Sequence, residues 1–313
     1  MIIRDRPSGI RLFFILRGSI LPRIQRVLAV NILFATLVAL WHASPLPFPL
    51  TLTPVPFTLI GLALAIFLGF RNTAAYDRFW EGRKLWGQLV IDSRNLTREC
   101  QSLIAGEGPV SFEAGLRDIR VRMIYRAIAF AHALRQALRD SRDIEELKGF
   151  LEEEEWRQLE KRTESLNFLM LRMGADLCQC LREKRIDSPI AAVINATLSS
   201  MVAVATGCER IKNTPIPFSY SLLVHRTAYL YCFLLPFGIV DLTGFVTPLV
   251  VAIVAYTFFG LDALGDEIEE PFGISDNDLP LEAICRTIEI DLRNAVGDPA
   301  APPPLLPVAY CLR

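Results

Sequence analysis

The longest stretch without a charged side chain is the feature that most constrains this chain. Between Val27 and Phe70 the sequence contains no Asp, Glu, Lys or Arg, and prolines at 45, 47, 49, 54 and 56 interrupt the stretch near its middle. A bilayer core requires about 20 apolar residues per helix. The stretch therefore predicts two membrane-spanning helices joined by a short turn: span 1 over 27–44, and span 2 ending at residue 70.

A second apolar hairpin follows much later in the chain. Pro215–Asp241 is apolar apart from His225 and Arg226, and Leu242–Leu261 has no charged residue. These stretches predict spans 3 and 4, with a turn within 238–247 and with Pro248 tolerated near a helix start. Ionisable residues inside a membrane are functional or paired, and we expect Arg226 to form a structural ion pair with a carboxylate such as Asp262.

The distribution of Lys and Arg predicts the orientation of the spans. Basic residues precede span 1, follow span 2 and precede span 3: Arg4, Arg6, Arg11, Arg17, Arg23, Arg26, Arg71, Arg78, Arg83, Lys84, Arg210 and Lys212. The two opposite turns, 43–56 and 238–247, hold one charge, Asp241. Both termini are therefore predicted to be cytoplasmic. The first 26 residues alternate basic and apolar side chains, so we expect no cleavable signal peptide.

Charged residues make up 21% of the chain, which is too many for a protein that lies wholly in a membrane. They concentrate after span 2 and after span 4. The predicted domains are a cytoplasmic N-terminal segment 1–26, a membrane hairpin 27–70, a cytoplasmic helical domain 71–212, a second hairpin 213–262 and a cytoplasmic C-terminal segment 263–313. The fold class is an all-α membrane protein with four spans and a cytoplasmic helical bundle. A net charge of -1 argues against a nucleic-acid partner.

Helical periodicity dominates 71–212, with helices expected near 116–138, 144–161, 163–183 and 189–211. The 116–138 helix carries many arginines. We expect a solvated face paired with the acidic residues Glu152–Glu155, and a lipid-binding face is the alternative. The proline-rich stretch Pro299–Pro307 is expected to be extended.

No pattern indicates an enzyme or a cofactor. The seven cysteines form no CxxC pair and are expected to be reduced thiols, with a metal or redox role for Cys178 and Cys180 as the minor reading. HExxH, P-loop and GxSxG motifs are absent. Inverted repeats and broken helices, which are typical of secondary transporters, are not evident. A channel and a non-conducting membrane scaffold remain.

Span 2 carries two aligned rows of residues. Leu62, Ile66 and Phe70 recur every four residues, beside a row of small residues at Gly61, Ala65 and Gly69. Small rows allow close helix packing in lipid, and rings of bulky apolar side chains can close a pore by dewetting. The alternative is that the bulky row is ordinary core or lipid-facing surface.

Continuing the helix at about 100° per residue places Thr73 and Asp77 on the same stripe, with Arg71 on the opposite side. In an oligomer Asp77 would form an acidic ring below the apolar residues, which favours cations. Alternatively, Asp77 pairs with Arg78 or with a basic residue of another helix.

The chain also resembles the bestrophin family, most closely its bacterial members. The resemblance rests on an LGF triplet within Ile66–Phe70 followed by Arg78, Phe79 and Trp80, on Thr214–Tyr220 before span 3, and on Glu270–Gly273 after span 4. It implies a homopentameric channel in a bacterial inner membrane, with one central pore for monovalent ions and membrane lipids around it. Leu62, Ile66 and Phe70 then match the neck, and Ile190, after a helix start at Ser188 and Pro189, matches a cytoplasmic aperture.

Two departures from animal bestrophins affect the expected function. Their acidic Ca²⁺-binding run is reduced here, so that Asp276, Asn277 and Asp278 are only weak Ca²⁺ candidates and a solvated loop is the favoured reading. Asp77 also replaces an uncharged pore residue. With no basic residue on the stripe, we expect a preference for cations such as Na⁺, and a chloride-selective channel of the same architecture is the alternative.

Overall fold

A computed structural model describes residues 1–3, 9, 15, 18–44, 52–106 and 108–312. Within these ranges the chain is helical, and its only β-type pairing consists of isolated bridges joining Cys311 to Ile2 and to Val308. The all-α prediction is confirmed. The basic residues Arg4, Arg6, Arg11 and Arg17 and the prolines at 45, 47 and 49, on which part of the orientation and turn predictions rests, lie outside the described residues.

The α-helices are α1 (Leu21–Ala43), α2 (Pro54–Ser102), α3 (Ile119–Leu138), α4 (Glu153–Glu160), α5 (Ser165–Arg182), α6 (Ser188–Asn213), α7 (Phe218–Thr243), α8 (Thr247–Glu269) and α9 (Leu281–Ala295). Short 3₁₀ helices cover Phe112–Arg117, Glu145–Phe150 and Gly244–Val246. Residues 301–307 adopt no helix, as expected for the proline-rich stretch.

The chain divides into two compact units. The unit that we call the span unit comprises Asp5–Trp80 and Pro215–Pro271. The unit that we call the bundle unit comprises Met1–Arg4, Glu81–Thr214 and Phe272–Arg313. Helix α2 is continuous from Pro54 to Ser102, so its residues are divided between the two units.

Four helical stretches of the described residues have the length and composition to cross a membrane: Leu21–Ala43, Pro54–Ser102, Ser188–Asn213 and Phe218–Glu269. The first two contain spans 1 and 2, and the last contains spans 3 and 4. The third lies in the region that the sequence assigns to the cytoplasm, and that assignment stays a prediction.

In the span unit, α1 packs against α7 and α8, and these two helices pack against each other. Their outer faces carry exposed large apolar residues, including Leu33, Leu37, Leu223, Leu249 and Ile253. In water such faces would be unfavourable, whereas in lipid they contact the acyl chains.

The turn between spans 3 and 4 is shorter than the sequence indicates. Gly238 lies inside α7, which continues to Thr243, and only Gly244–Val246 separates α7 from α8. Gly244 has a φ of 50°, a conformation that glycine adopts without strain. Pro248 lies in the first turn of α8, as expected.

Two glycines allow close packing between α2 and α7. A Cβ atom on Gly61 of α2 would lie 2.7 Å from the hydroxyl oxygen of Tyr231 on α7. A Cβ atom on Gly238 of α7 would meet the ring of Phe57 on α2. On each of the two helices, therefore, a glycine packs against an aromatic side chain of the other helix.

The bundle unit is built around α3, which contacts α5, α6 and α9. Only Arg122, Arg135 and Ala137 of this helix are not buried. The predicted pairing with the acidic residues is confirmed, because Arg126 donates to both carboxylate oxygens of Glu155 at 2.7 and 2.9 Å. The predicted solvated face is wrong, since Arg126 is 1% exposed and α3 lies in the core.

A second polar cluster joins α3 to the 3₁₀ helix Glu145–Phe150. The Glu146 carboxylate contacts Nδ1 of His132 at 3.0 Å and accepts a hydrogen bond from Gln136 and one from Arg135. Burial alone would raise the pKa of Glu146. The hydrogen bonds from His132 and Gln136, together with the charges of His132 and Arg135, have the larger effect and lower this pKa to about 2. The negative charge of Glu146 therefore stabilises the folded bundle.

Candidate pore-lining face of helix α2

The buried residues of the first part of α2 all lie on one side of the helix. Leu64 and Leu68 pack with Val224 and Ala228 of α7, and Arg71 and Ala75 continue the same side at spacings of three and four residues. At 100° per residue these positions cluster within about 60° of arc.

Leu62, Ile66 and Phe70 occupy the opposite side of α2, about 180° from the buried side. Their exposed fractions are 62%, 49% and 63%. Thr73 and Asp77 continue this stripe and are also exposed. The sequence prediction that these five side chains share one face is confirmed, and the structure leaves that face uncovered in a single chain.

Asp77 does not form the pair with Arg78 that the sequence analysis gives as an alternative. In the described part of the chain no basic group lies within ion-pair distance of its carboxylate. The Nε atom of Arg78 instead donates to the carbonyl oxygen of Glu269 at 3.1 Å. Asp77 is thus an exposed carboxylate one helical turn beyond Thr73.

The row of small residues beside the stripe has two different environments. Gly61 contacts Tyr231 of α7, which confirms close packing at that position. Gly69 has no other atom within 4 Å of an added Cβ, and Ala65 is exposed. Among the residues that the structure describes, Ala65 and Gly69 show no close packing like that of Gly61, and contacts with another chain stay a prediction.

Arg71 lies on the buried side, as the helical projection predicts, and is 2% exposed. Its Nη1 atom donates to Oδ1 of Asp262 on α8 at 2.8 Å, and Nη2 contacts Asp266 and lies 3.6 Å from Glu269. The three carboxylates occur at successive turns of α8, so a single arginine fixes one side of α2 against that helix.

The expected ion pair between Arg226 and Asp262 is wrong, because Asp262 is paired with His225 and Arg71. Nδ1 of His225 lies 2.6 Å from Oδ2 of Asp262, and Arg71 contacts Oδ1, so both carboxylate oxygens are occupied. Arg226, the next residue on α7, is exposed. Adjacent helical residues point 100° apart, and the sequence does not reveal which of the two faces α8. The sequence analysis does not predict the Arg71–Asp262 pair.

Ile190, the predicted aperture residue, lies in the first turn of α6 and is half-buried. The expected helix start is displaced by one residue, because the N-cap is Asp187 rather than Ser188. The Asp187 carboxylate accepts a hydrogen bond from the backbone N–H of Ile190 at 3.0 Å. The position of Ile190 relative to a pore stays a prediction.

The weak Ca²⁺ candidates lie in the loop after Gly273. Asp278 is buried, and its carboxylate accepts a hydrogen bond from the backbone N–H of Ser275 at 2.6 Å. Among the described residues no group of three or more His, Cys, Asp and Glu side chains could hold a metal ion, and this includes Cys178 and Cys180. The carboxylate of Asp278 therefore stabilises its own loop.

The helical architecture and the lipid-compatible outer faces define an all-α membrane protein whose helix α2 leaves one face exposed. The chain belongs to the bestrophin family, because the family model for bacterial and fungal bestrophin proteins matches residues 1–294. The resemblance drawn from the sequence motifs is confirmed.

Curated relatives match over nearly their whole length. A voltage-dependent anion channel-forming protein of Mesorhizobium japonicum is 42% identical over 311 residues, covering 98% of this chain and 95% of the relative. A protein of the same description from Escherichia coli K12 is 39% identical and covers 98% of each chain. These names describe anion channels and do not support the expected preference for cations.

The fold matches solved structures as well. A crystal structure of a bacterial bestrophin homologue from Klebsiella pneumoniae superposes with a TM-score of 0.79 at 34% identity, covering 88% of this chain and 99% of that one. The chain is therefore a bestrophin-type membrane protein, and the family supports an ion channel rather than an enzyme.

Proposed function

We propose that this chain forms an oligomeric channel whose pore is lined by the exposed stripe of α2. The proposal rests on the difference between the two sides of α2. Leu64, Leu68 and Arg71 on one side are buried. Leu62, Ile66 and Phe70 on the opposite side are exposed. Three layers spaced by about 6 Å along the helix would form an apolar neck about 12 Å long. A neck of this kind can control flux by wetting and dewetting.

The oligomer in this proposal is the homopentamer that the family resemblance implies. It lies in the inner membrane of a bacterium, with both termini on the cytoplasmic side, and it conducts monovalent ions passively without a cofactor. Thr73 and Asp77 follow the neck, and Ile190 forms the cytoplasmic aperture. The similarity to bacterial channel-forming proteins over whole chains supports the bacterial channel in this proposal, and the pentamer, the orientation and the residue roles rest on the family resemblance.

For the permeant ion, we propose anions such as chloride, because the relatives are named as anion channel-forming proteins. A second candidate is a cation channel, which the Asp77 carboxylate on the stripe favours, because it is exposed and has no ion-pair partner among the described residues. The two candidates share one architecture and differ in the sign of the charge that passes Asp77.

The reversal potential of purified protein in a planar bilayer under a steep NaCl gradient tests both candidates. A value near the chloride equilibrium potential supports the anion channel, whereas a value near that of sodium supports the cation channel. Asp77→Asn should move the reversal potential towards chloride if Asp77 lines the pore. The matched control is Glu113→Gln, which neutralises an exposed carboxylate outside the stripe. Recording over a range of voltages tests the voltage dependence named for the relatives.

Ile66→Ala tests the neck itself. Because Ile66 is half-exposed within one chain, its truncation should change the free energy of unfolding by less than about 0.5 kcal/mol. It should raise the single-channel current by widening the apolar constriction. Leu33→Ala is the control, since Leu33 is an exposed apolar residue of α1. Equal currents in wild type and Ile66→Ala would remove Ile66 from the pore, and silence in every variant would favour a scaffold.

A further inference from the structure

A cleft of about 260 Å³ lies between α1 and α7 in the span unit. Its lining residues are Phe34, Leu37, Val38, Trp41, His42 and Phe237. All of these side chains except His42 are apolar, and the rings of Phe34 and Phe237 meet edge to face with their centroids 5.7 Å apart. Leu37 and Trp41 are more than half exposed, so the cleft opens to the outside of a single chain.

One end of the cleft is polar. Nε2 of His42, in the last turn of α1, lies 3.5 Å from Oδ1 of Asp241 near the end of α7, and the Asp241 side chain is 52% exposed. Nδ1 of His42 has no hydrogen-bond partner in the part of the chain that the structure describes. From Phe34 to Trp41 the apolar wall extends about 10 Å along α1 before it reaches this pair.

A long apolar cleft that ends at a carboxylate and an imidazole matches one class of membrane molecule. The apolar wall can hold part of an acyl chain, and the exposed Asp241 carboxylate can accept hydrogen bonds from a primary ammonium group. We propose that this cleft binds a phospholipid with an amino headgroup, such as phosphatidylethanolamine, with the ammonium at Asp241 and an acyl chain along Phe34, Trp41 and Phe237.

The charge at the polar end favours this occupant over two others. An anionic lipid with a glycerol headgroup brings a negative phosphate to Asp241 without a cationic group to offset it. A second copy of the chain would have to present a basic group at the same point of its own membrane-spanning surface, where such groups are costly. An amino phospholipid supplies both an acyl chain for the apolar wall and a cationic group for Asp241.

Quenching of Trp41 fluorescence tests the proposal. Full-length protein in detergent is titrated with phosphatidylethanolamine brominated on its acyl chains, and the signal of Trp41 is the difference between wild type and Trp41→Phe. We expect this difference signal to be quenched saturably. Asp241→Asn should weaken half-saturation about tenfold, which corresponds to the loss of one charge-assisted hydrogen bond. Brominated phosphatidylglycerol should bind more weakly and respond little to the substitution.

Two further variants separate the cleft from general lipid contact. Val38→Phe should fill the cleft and abolish saturable quenching, whereas Leu33→Phe, on the exposed face of α1 outside the cleft, should leave it unchanged. Native mass spectrometry should retain fewer phosphatidylethanolamine molecules per subunit in Asp241→Asn than in wild type.

Equal, unsaturable quenching by both lipids, or no effect of Asp241→Asn, would overturn the proposal. Absence of quenching in a folded oligomer would instead assign the cleft to an interface between copies. None of these measurements depends on ion flux, so they stand apart from the test of the channel.

Discussion

Arg71 in the span unit and Arg126 in the bundle unit are both almost completely buried, and the two arginines are held in different ways. Arg71 of the span unit is 2% exposed, and its carboxylate partners all lie along α8. Arg126 of the bundle unit is 1% exposed, and its partners come from two helices, Glu155 on α4 and Asp176 on α5. Arg71 thus fixes the orientation of one helix against one neighbour, whereas Arg126 joins three helices.

The difference follows from what surrounds each unit. The span unit exposes its apolar residues, so burial of apolar surface alone does not determine which side of α2 faces inward. A buried ion pair specifies that side, because leaving either partner unpaired in a low-dielectric environment is costly. The bundle unit already has an apolar core around α3, and its ion pairs satisfy charges that the sequence places within that core.

The largest effect is expected from breaking the bundle network. Arg126→Met leaves Glu155 and Asp176 buried with one partner fewer, and should lower the free energy of unfolding by about 3–5 kcal/mol. Thermal unfolding of the full-length protein in detergent measures this change. Arg157→Met is the control, because Arg157 is exposed and its ion-pair partner, Glu153, is exposed as well. Equal stability of the two variants would show that the buried network contributes nothing.

A smaller effect is expected from the other cluster of the bundle unit. The pKa of Glu146 lies at about 2, below its ordinary value of 4.5, so its stabilising contribution is complete above about pH 4.5 and is lost as the pH falls towards 2. Glu146→Gln should remove up to about 3 kcal/mol at neutral pH.

The pH dependence is the sharper test of Glu146. Thermal unfolding recorded between neutral pH and pH 3 should show that wild type loses stability more steeply than Glu146→Gln. Glu113→Gln, at an exposed carboxylate of the same unit, should follow wild type. Parallel curves for all three proteins would contradict the assignment.

The smallest change in stability, and the one most specific to the channel, is expected in the span unit. Asp262→Asn removes the carboxylate charge that Arg71 and His225 share but leaves Asp266 and Glu269 beside Arg71, so the loss should be about 1–3 kcal/mol. If the pair sets the rotation of α2, single-channel current should change as well. The control is Glu267→Gln, which removes the carboxylate charge that pairs with the half-exposed Arg23. A stability loss without any change in current would limit Asp262 to a structural role.

Much of the span unit can be predicted from sequence because two simple signals determine it. The absence of charged residues predicts the two hairpins. The spacing of four residues predicts the stripe of Leu62, Ile66 and Phe70, and it places Arg71 on the opposite side. Both signals depend only on helix geometry and on the cost of charge in lipid.

The rest depends on contacts between distant segments. Whether His225 or Arg226 reaches Asp262 is set by the rotation of α7, and the burial of α3 is set by the helices that surround it. Arginine-rich helices usually have a solvated face, but here the acidic partners on α4 and α5 allow the arginines to enter the core. No local pattern in α3 reveals that arrangement.

The reciprocal packing of Gly61 with Tyr231 and of Gly238 with Phe57 limits how α2 can move. Sliding α2 along α7 by one helical turn would replace each glycine with a residue that carries a side chain, directly under an aromatic ring. The register between these two helices is therefore locked at two points. Opening of a pore lined by α2 would have to proceed by joint movement of α2 and α7, or by rotation of the side chains in the neck.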